Sequence, residues 1–221
     1  MRPVAGILFD LDGVLINSEP SYSRFWRHID EVYPTGVANF AETIKGNTLS
    51  TILSTHFDAA VHADITSRLH QFEATAPYPP FDDTFATLKC IKDFGVKTAL
   101  VTSSDNAKMA NLYRQHPAFT SYFDAIVTAD NVTRSKPDPQ GYIIAAKMLG
   151  LSPAECIVVE DSPAGLEAGR RAGAFVCGLA TTVGADRVSA SCDLLLSSLS
   201  DLADAISHTP PFPQTEHVTA K

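Results

Sequence analysis

Short apolar runs recur along this chain: Val4 to Phe9, Val96 to Val101, Ala125 to Val127, Cys156 to Val159, Ala174 to Cys177 and Leu194 to Leu196. None alternates polar with apolar residues, which is the pattern of strands buried on both faces. Helical stretches lie between most of them. Thr84 to Phe94 precedes the second run, Asp105 to Gln115 follows it, Gln140 to Leu149 follows the third and Pro163 to Ala172 the fourth. This alternation predicts an α/β fold, a parallel sheet with helical crossovers. Sites in such folds collect beyond the carboxyl ends of the strands.

The stretch from Asn17 to Ala76 breaks the rhythm. Ser21 to Val32, Thr48 to Phe57 and Val61 to Ala76 read as helices, with Phe25, Trp26, Ile29, Ile52, Leu53, Ile65, Leu69 and Phe72 on their inner faces. Pro77-Tyr78-Pro79-Pro80 then stiffens the return. The expected division is a Rossmann-like core at 1–16 and 81–207, an inserted helical cap at 17–80 and a disordered tail at 208–221. A cap inserted just after the first strand is placed to act as a lid. The plain alternative is a helical subdomain with no gating role.

Composition narrows the classes. The chain has 221 residues, 45% of them apolar, enough for a sizeable core. Net charge is −8, from 17 basic and 25 acidic residues, with no basic block to hold nucleic acid. An anionic substrate would need a local positive pocket. No stretch is apolar and long enough to span a bilayer, and the run before Asp10 is too short for a secretory signal core. Cys90, Cys156, Cys177 and Cys192 lack CxxC spacing and fit reduced thiols. A soluble cytoplasmic monomer without membrane or nucleic-acid partners is the expectation.

Candidate chemistry sits at the ends of the apolar runs. In Phe9-Asp10-Leu11-Asp12-Gly13, two carboxylates lie two residues apart and project together where strand becomes loop. Side by side they repel and need a cation, a proton or hydrogen-bond donors. A solvated turn is the plain alternative. Thr102-Ser103-Ser104 offers hydroxyls and backbone N–H groups for phosphate oxygens at a strand-to-helix turn, or else a helix cap at Ser104 or Asp105. Lys136, constrained by Pro137 and Pro139, would neutralise the paired acids and contact a phosphate. Ser162 and Pro163 suit a helix start, which leaves Glu160 and Asp161 unexplained by capping. A carboxylate there would complete a Mg²⁺ site with Asp10.

Taken together, Asp10-Leu11-Asp12-Gly13, Thr102, Lys136 and Glu160-Asp161 resemble the four motifs of the haloacid dehalogenase-like hydrolases, in the branch with a helical cap. Lys136-Pro137-Asp138-Pro139 and Val159-Glu160-Asp161-Ser162-Pro163-Ala164-Gly165 are similar to its beta-phosphoglucomutase-like and sugar-phosphatase members. The resemblance implies that Asp10 attacks phosphorus and forms an aspartyl-phosphate, while Asp12 gives and later takes a proton. It implies Mg²⁺ held by Asp10, the Asp12 carbonyl and Asp161, with Glu160 bound directly or through water. Thr102, Ser103 and Lys136 would bind phosphate oxygens.

Family mutases carry a His where this chain has Tyr22, and an Arg near the cap loop where Lys45-Gly46-Asn47-Thr48 leads to Leu49. Those departures favour water as acceptor. The expectation is a phosphatase for a small phosphorylated metabolite, a sugar or polyol phosphate. A sugar-phosphate mutase and a phospho-acceptor signalling domain are the alternatives. Lys45 and Asn47 are the cap residues expected to reach substrate; Tyr22 and Trp26 either line the pocket or belong to the core.

Overall fold

The computed structural model describes residues 4–45 and 47–208. The expected tail at 208–221 lies, from residue 209 on, outside the described residues. Strands β1 (Gly6–Phe9), β2 (Lys97–Val101), β3 (Ala125–Val127), β4 (Cys156–Glu160), β5 (Phe175–Leu179) and β6 (Leu194–Leu196) form one 6-stranded sheet in the order β3-β2-β1-β4-β5-β6. Every neighbouring pair is parallel. This is the α/β architecture that the apolar runs predict.

The helices are α1 (Glu19–Val32), α2 (Phe40–Thr43), α3 (Leu49–His56), α4 (His62–Glu73), α5 (Thr84–Asp93), α6 (Asn106–Gln115), α7 (Gln140–Met148), α8 (Pro163–Ala172), α9 (Ala185–Ser189) and α10 (Leu199–His208). Successive strand residues point to opposite faces, so both faces must be covered. Ile7, Phe9, Leu100, Ile157, Val159 and Cys177 pack against α5, α6 and α10. Leu8, Ala99, Val101, Val158 and Val176 pack against α7, α8 and α9. Burying one such side chain contributes roughly 1.5–3 kcal/mol.

Helices α1 to α4 build a separate apolar cluster from Phe25, Trp26, Ile29, Phe40, Ile52 and Ile65, among others. Phe72 touches both this cluster and the sheet's. The two crossings between sheet and insert run side by side. Ile16 bridges Pro80 in antiparallel fashion, and the Asn17 N–H donates to the Pro79 carbonyl at 2.8 Å. Asn111 on α6 donates to the carbonyls of Glu73 and Ala76 at 2.9 and 3.0 Å, fixing the end of the insert to the core.

Some boundaries differ from the sequence pattern. β4 runs one residue past the expected Val159, because Glu160 keeps register with Gly178 of β5. α1 starts at Glu19 rather than Ser21, since Pro20 is tolerated in a first turn. α2 and α9, with 4 and 5 residues, are too short to show periodicity. α10 fits the i, i+3, i+7 spacing of Leu199, Leu202 and Ile206, a signal outside the elements assigned from sequence.

Candidate active site

The chain leaves β1 toward β2 on one side and later adds β4 on the other, so β1 ends at the topological switch point. Asp10 stands there, its N–H donating to the Val159 carbonyl at 3.0 Å. Its side chain is buried and pairs with the Lys136 ammonium. Burial pushes the Asp10 carboxyl up to about 7, with Lys136 pulling it down and Glu160 and Asp12 pushing it further up.

Lys136 is held on several sides. It donates to Glu160 at 2.6 Å and to the Val101 carbonyl at 3.1 Å, and pairs with Asp10. Glu160 is fully buried, and both its oxygens are engaged. Oε1 accepts from Lys136 and from the Tyr142 hydroxyl at 2.7 Å. Oε2 accepts from the Asp161 and Ser162 N–H groups and the Ser162 hydroxyl at 3.1 to 3.2 Å. Gly165 makes room: a Cβ there would lie 1.8 Å from Glu160 Oε1.

Asp12 has a separate set of partners. Lys108 donates to its two oxygens at 2.8 and 2.6 Å, Ser18 to one at 2.6 Å and Ser104 to the other at 3.2 Å. Burial works against the charged form here, but Lys108 and the hydroxyl donors outweigh it and hold the Asp12 carboxyl below its usual range. Lys136 therefore does not neutralise both acids, as the spacing suggested. Asp12 lies past the strand, where Gly13 turns the chain at φ +76°, and it finds its own ammonium.

Asp10, Glu160 and Asp161 each bring a carboxylate oxygen within 4.8 Å of the others, all in buried positions. Burial, then the charges of Glu160 and Asp10, push Asp161 well above its usual range. A dication would relieve that repulsion, and oxygen donors suit Mg²⁺. Gly13 permits the approach, because a Cβ there would lie 1.9 Å from Asp161 Oδ2. The residues present fit a hard cation between Asp10 and Asp161. Glu160 could join only by releasing one of its present donors.

Asp10 and Asp161 face a cavity of about 510 Å³, in the range of small-molecule sites, with Glu160 buried behind them. Asp10, Asp12, Ser103, Lys136 and Asp161 line its floor, and Lys45, Asn47, Tyr22 and Trp26 line its roof. Thr102 is buried just behind, its hydroxyl accepting from the Ser104 N–H at 3.0 Å, and lines a smaller neighbouring space with Ser103 and Lys136. Of the two capping candidates, Asp105 caps α6 and Ser104 bonds Asp12. Ser162 caps α8, with Pro163 in its first turn.

Sequence reasoning missed Lys108, Ser18, Tyr142 and Glu73. Lys108 had one legible signal: it precedes Met109 and Leu112 on the face of α6 that the apolar pattern turns inward. The Tyr22 hydroxyl accepts from Lys108 at 2.8 Å and donates to Glu73 at 2.5 Å, a chain from floor to roof. Lys45 pairs with Glu42 at 2.7 Å and stands 3.5 Å from Glu19.

An acid cluster at the switch point, one lysine against each paired acid and a helical roof over a small-molecule cavity mark an α/β enzyme. The profile of the haloacid dehalogenase-like hydrolases matches residues 4–173, and the chain belongs to that family. It is similar to hexitol phosphatase A of Escherichia coli, at 33% identity over 89% of this chain and 92% of that one. It is also similar to beta-phosphoglucomutase of Bacillus subtilis, at 29% identity over 91% and 93%. A solved hydrolase from Pseudomonas syringae shares the fold, with a TM-score of 0.80 at 19% identity over 91% of this chain and 97% of that one. The family, fold and phosphatase expectations drawn from the motifs agree with these matches. Among the described residues no helix is long and apolar enough to cross a membrane.

Proposed function

We propose that this hydrolase is a Mg²⁺-dependent phosphatase that releases phosphate from a small sugar or polyol phosphate through an aspartyl-phosphate on Asp10. The observation that carries the reading is the meeting of Asp10, Asp161 and Lys136 on one cavity floor at the sheet's switch point. Asp10 and Asp161, with the Asp12 carbonyl, would hold the metal; bound there, it supplies positive charge that offsets carboxylate–phosphate repulsion.

Asp10 is the nucleophile: its carboxylate oxygen bonds to phosphorus as the ester oxygen leaves with the bonding pair. Lys136 holds the carboxylate in place and presents an ammonium to phosphate oxygens, with Ser103 and the backbone after Thr102 beside it. Glu160 acts one step back, fixing Lys136. Asp12 handles protons. As the Lys108 pair keeps it ionised, it is set to draw a proton from the water that cleaves the aspartyl-phosphate. In the first step an incoming phosphate opposes the Lys108 charge and raises the acid's proton affinity, so that Asp12 takes up a proton from solvent, passes it to the leaving alkoxide, and regains one from the attacking water.

The inserted helices act as a cap over this floor, with the division at 17–80. Tyr22 supports water rather than a sugar hydroxyl as acceptor. Its hydroxyl sits between Lys108 and Glu73, and burial, then the charges of Asp12 and Glu73, hold it protonated, so it is no general base. Incubation with hexitol and hexose phosphates tests this. Mg²⁺-dependent release of inorganic phosphate, stopped by EDTA, is expected. Interconversion of hexose 1- and 6-phosphates without release would instead establish a mutase, and a single stable phosphorylation without turnover a signalling domain.

A further inference from the structure

We propose that the roof of the cavity selects monophosphates whose far end is uncharged and rich in hydroxyls, and rejects those bearing a second phosphate or a carboxylate, with Glu19 and Glu73 as the discriminating side chains. This rests on the phosphatase reading, and sharpens it to a substrate class.

Among the described residues, the basic side chains lining the cavity are Lys45, Lys108 and Lys136, with no arginine. Each is already paired: Lys136 with Asp10 and Glu160, Lys108 with Asp12, Lys45 with Glu42 and Glu19. The pair of Lys136 with Asp10 can open to one phosphate, since a metal would take over the Asp10 carboxylate. The roof has only Lys45, and its two carboxylate partners already offset it. A second anion placed there would meet no uncommitted cation.

The roof also presents acceptors. Glu19, in the first turn of α1, and Glu73, the last residue of α4, both line the cavity. An acid at a helix C-terminus is disfavoured by the helix dipole, so Glu73 has no local helical reason to be there. Tyr22 donates to one of its oxygens, and the other takes no hydrogen bond among the described residues. Burial raises both carboxyl groups above their ordinary range. Hydroxyl donors at a ligand's far end would relieve this, whereas another anion would add repulsion. Asn47, Thr48 and Ser50 add neutral donors and acceptors along the same wall.

The test compares a hexitol 6-phosphate with the corresponding hexonate 6-phosphate, which differ only by a terminal hydroxymethyl or carboxylate. Binding to Asp10→Asn with Mg²⁺ is measured by calorimetry, and kcat/KM on the wild type by phosphate release. The hexitol ester is expected to be favoured roughly tenfold or more in both. Glu19→Gln and Glu73→Gln are each expected to narrow the ratio. Equal handling of the pair, or an unchanged ratio in both variants, overturns the selection. Preferential binding of the hexitol ester without phosphate release would instead overturn the phosphatase reading and leave the selection standing. Binding of neither ester removes both.

Discussion

The floor and the roof of the cavity are built on different principles. On the floor, Glu160 ends a strand that the sheet holds in register, and a short, buried bond locks the loop residue Lys136 to it. On the roof, half-buried Lys45 and exposed Asn47 sit between α2 and α3, supported by an aromatic cluster of Trp26, Phe40 and Phe57. Tyr22 and Lys108 tie the two together. On the proposed function, the sheet fixes the reaction, while the choice of substrate is left to packing among helices.

The strongest way to break this comparison is Asp10→Asn. It removes the proposed nucleophile while keeping its size, and turnover is expected to fall by at least roughly 10³-fold with the fold intact by circular dichroism. Retained multiple turnover would unseat the nucleophile assignment. Next is Glu160→Ala, which leaves Lys136 and the Tyr142 hydroxyl without their shared buried carboxylate. Stability in urea should drop by about 3–5 kcal/mol, and a neutral result would show that the floor is less rigid than described.

Asp12→Asn separates the two chemical steps by leaving group. Alkyl phosphates need a protonated leaving oxygen and should lose roughly 10²–10⁴-fold, whereas nitrophenyl phosphate should lose less. Equal losses would argue against proton donation. On the roof, Asn47→Ala should raise KM by roughly tenfold or less and leave kcat nearly unchanged, as expected for uniform binding. A matching fall in kcat would place Asn47 with the chemistry instead.

The smallest effect is one of pH. Burial raises the carboxyl of Asp10 from 3.8 to about 7, and Asp161 shifts the same way. The metal-free folded chain therefore keeps protons that the unfolded chain has released. Its stability falls as pH rises from about 4 towards 7, since the folded state binds more protons across that window. Magnesium would take the place of those protons. Its stabilisation, read as the shift in Tm, should be larger near about pH 8 than near about pH 5. A shift independent of pH would speak against a cation at these acids.

The same divide governs what could be read from the sequence. Asp10 and Asp161 were legible because each directly follows a buried strand, and the sheet carries that spacing into space, whereas Lys136, in the loop well past β3, was legible from its flanking prolines. Lys108 was not, because a lysine on an amphipathic helix is usually solvated, and only the docking of α6 against the insert buries it. The separate pairing of Asp12 was hidden for a similar reason: its partners Ser18 and Ser104 lie 6 and 92 residues away. Glu73 was invisible, since its role arises from where α4 ends against Tyr22.

In the proposed reaction Asp10 takes the phosphoryl group and a metal works beside it. Fluorine NMR with Mg²⁺ and beryllofluoride, a mimic of a phosphorylated carboxylate, tests it most directly. The account predicts slowly exchanging protein-bound fluorine resonances that vanish on adding EDTA and are absent from Asp10→Asn. Bound resonances that survive in Asp10→Asn would contradict it.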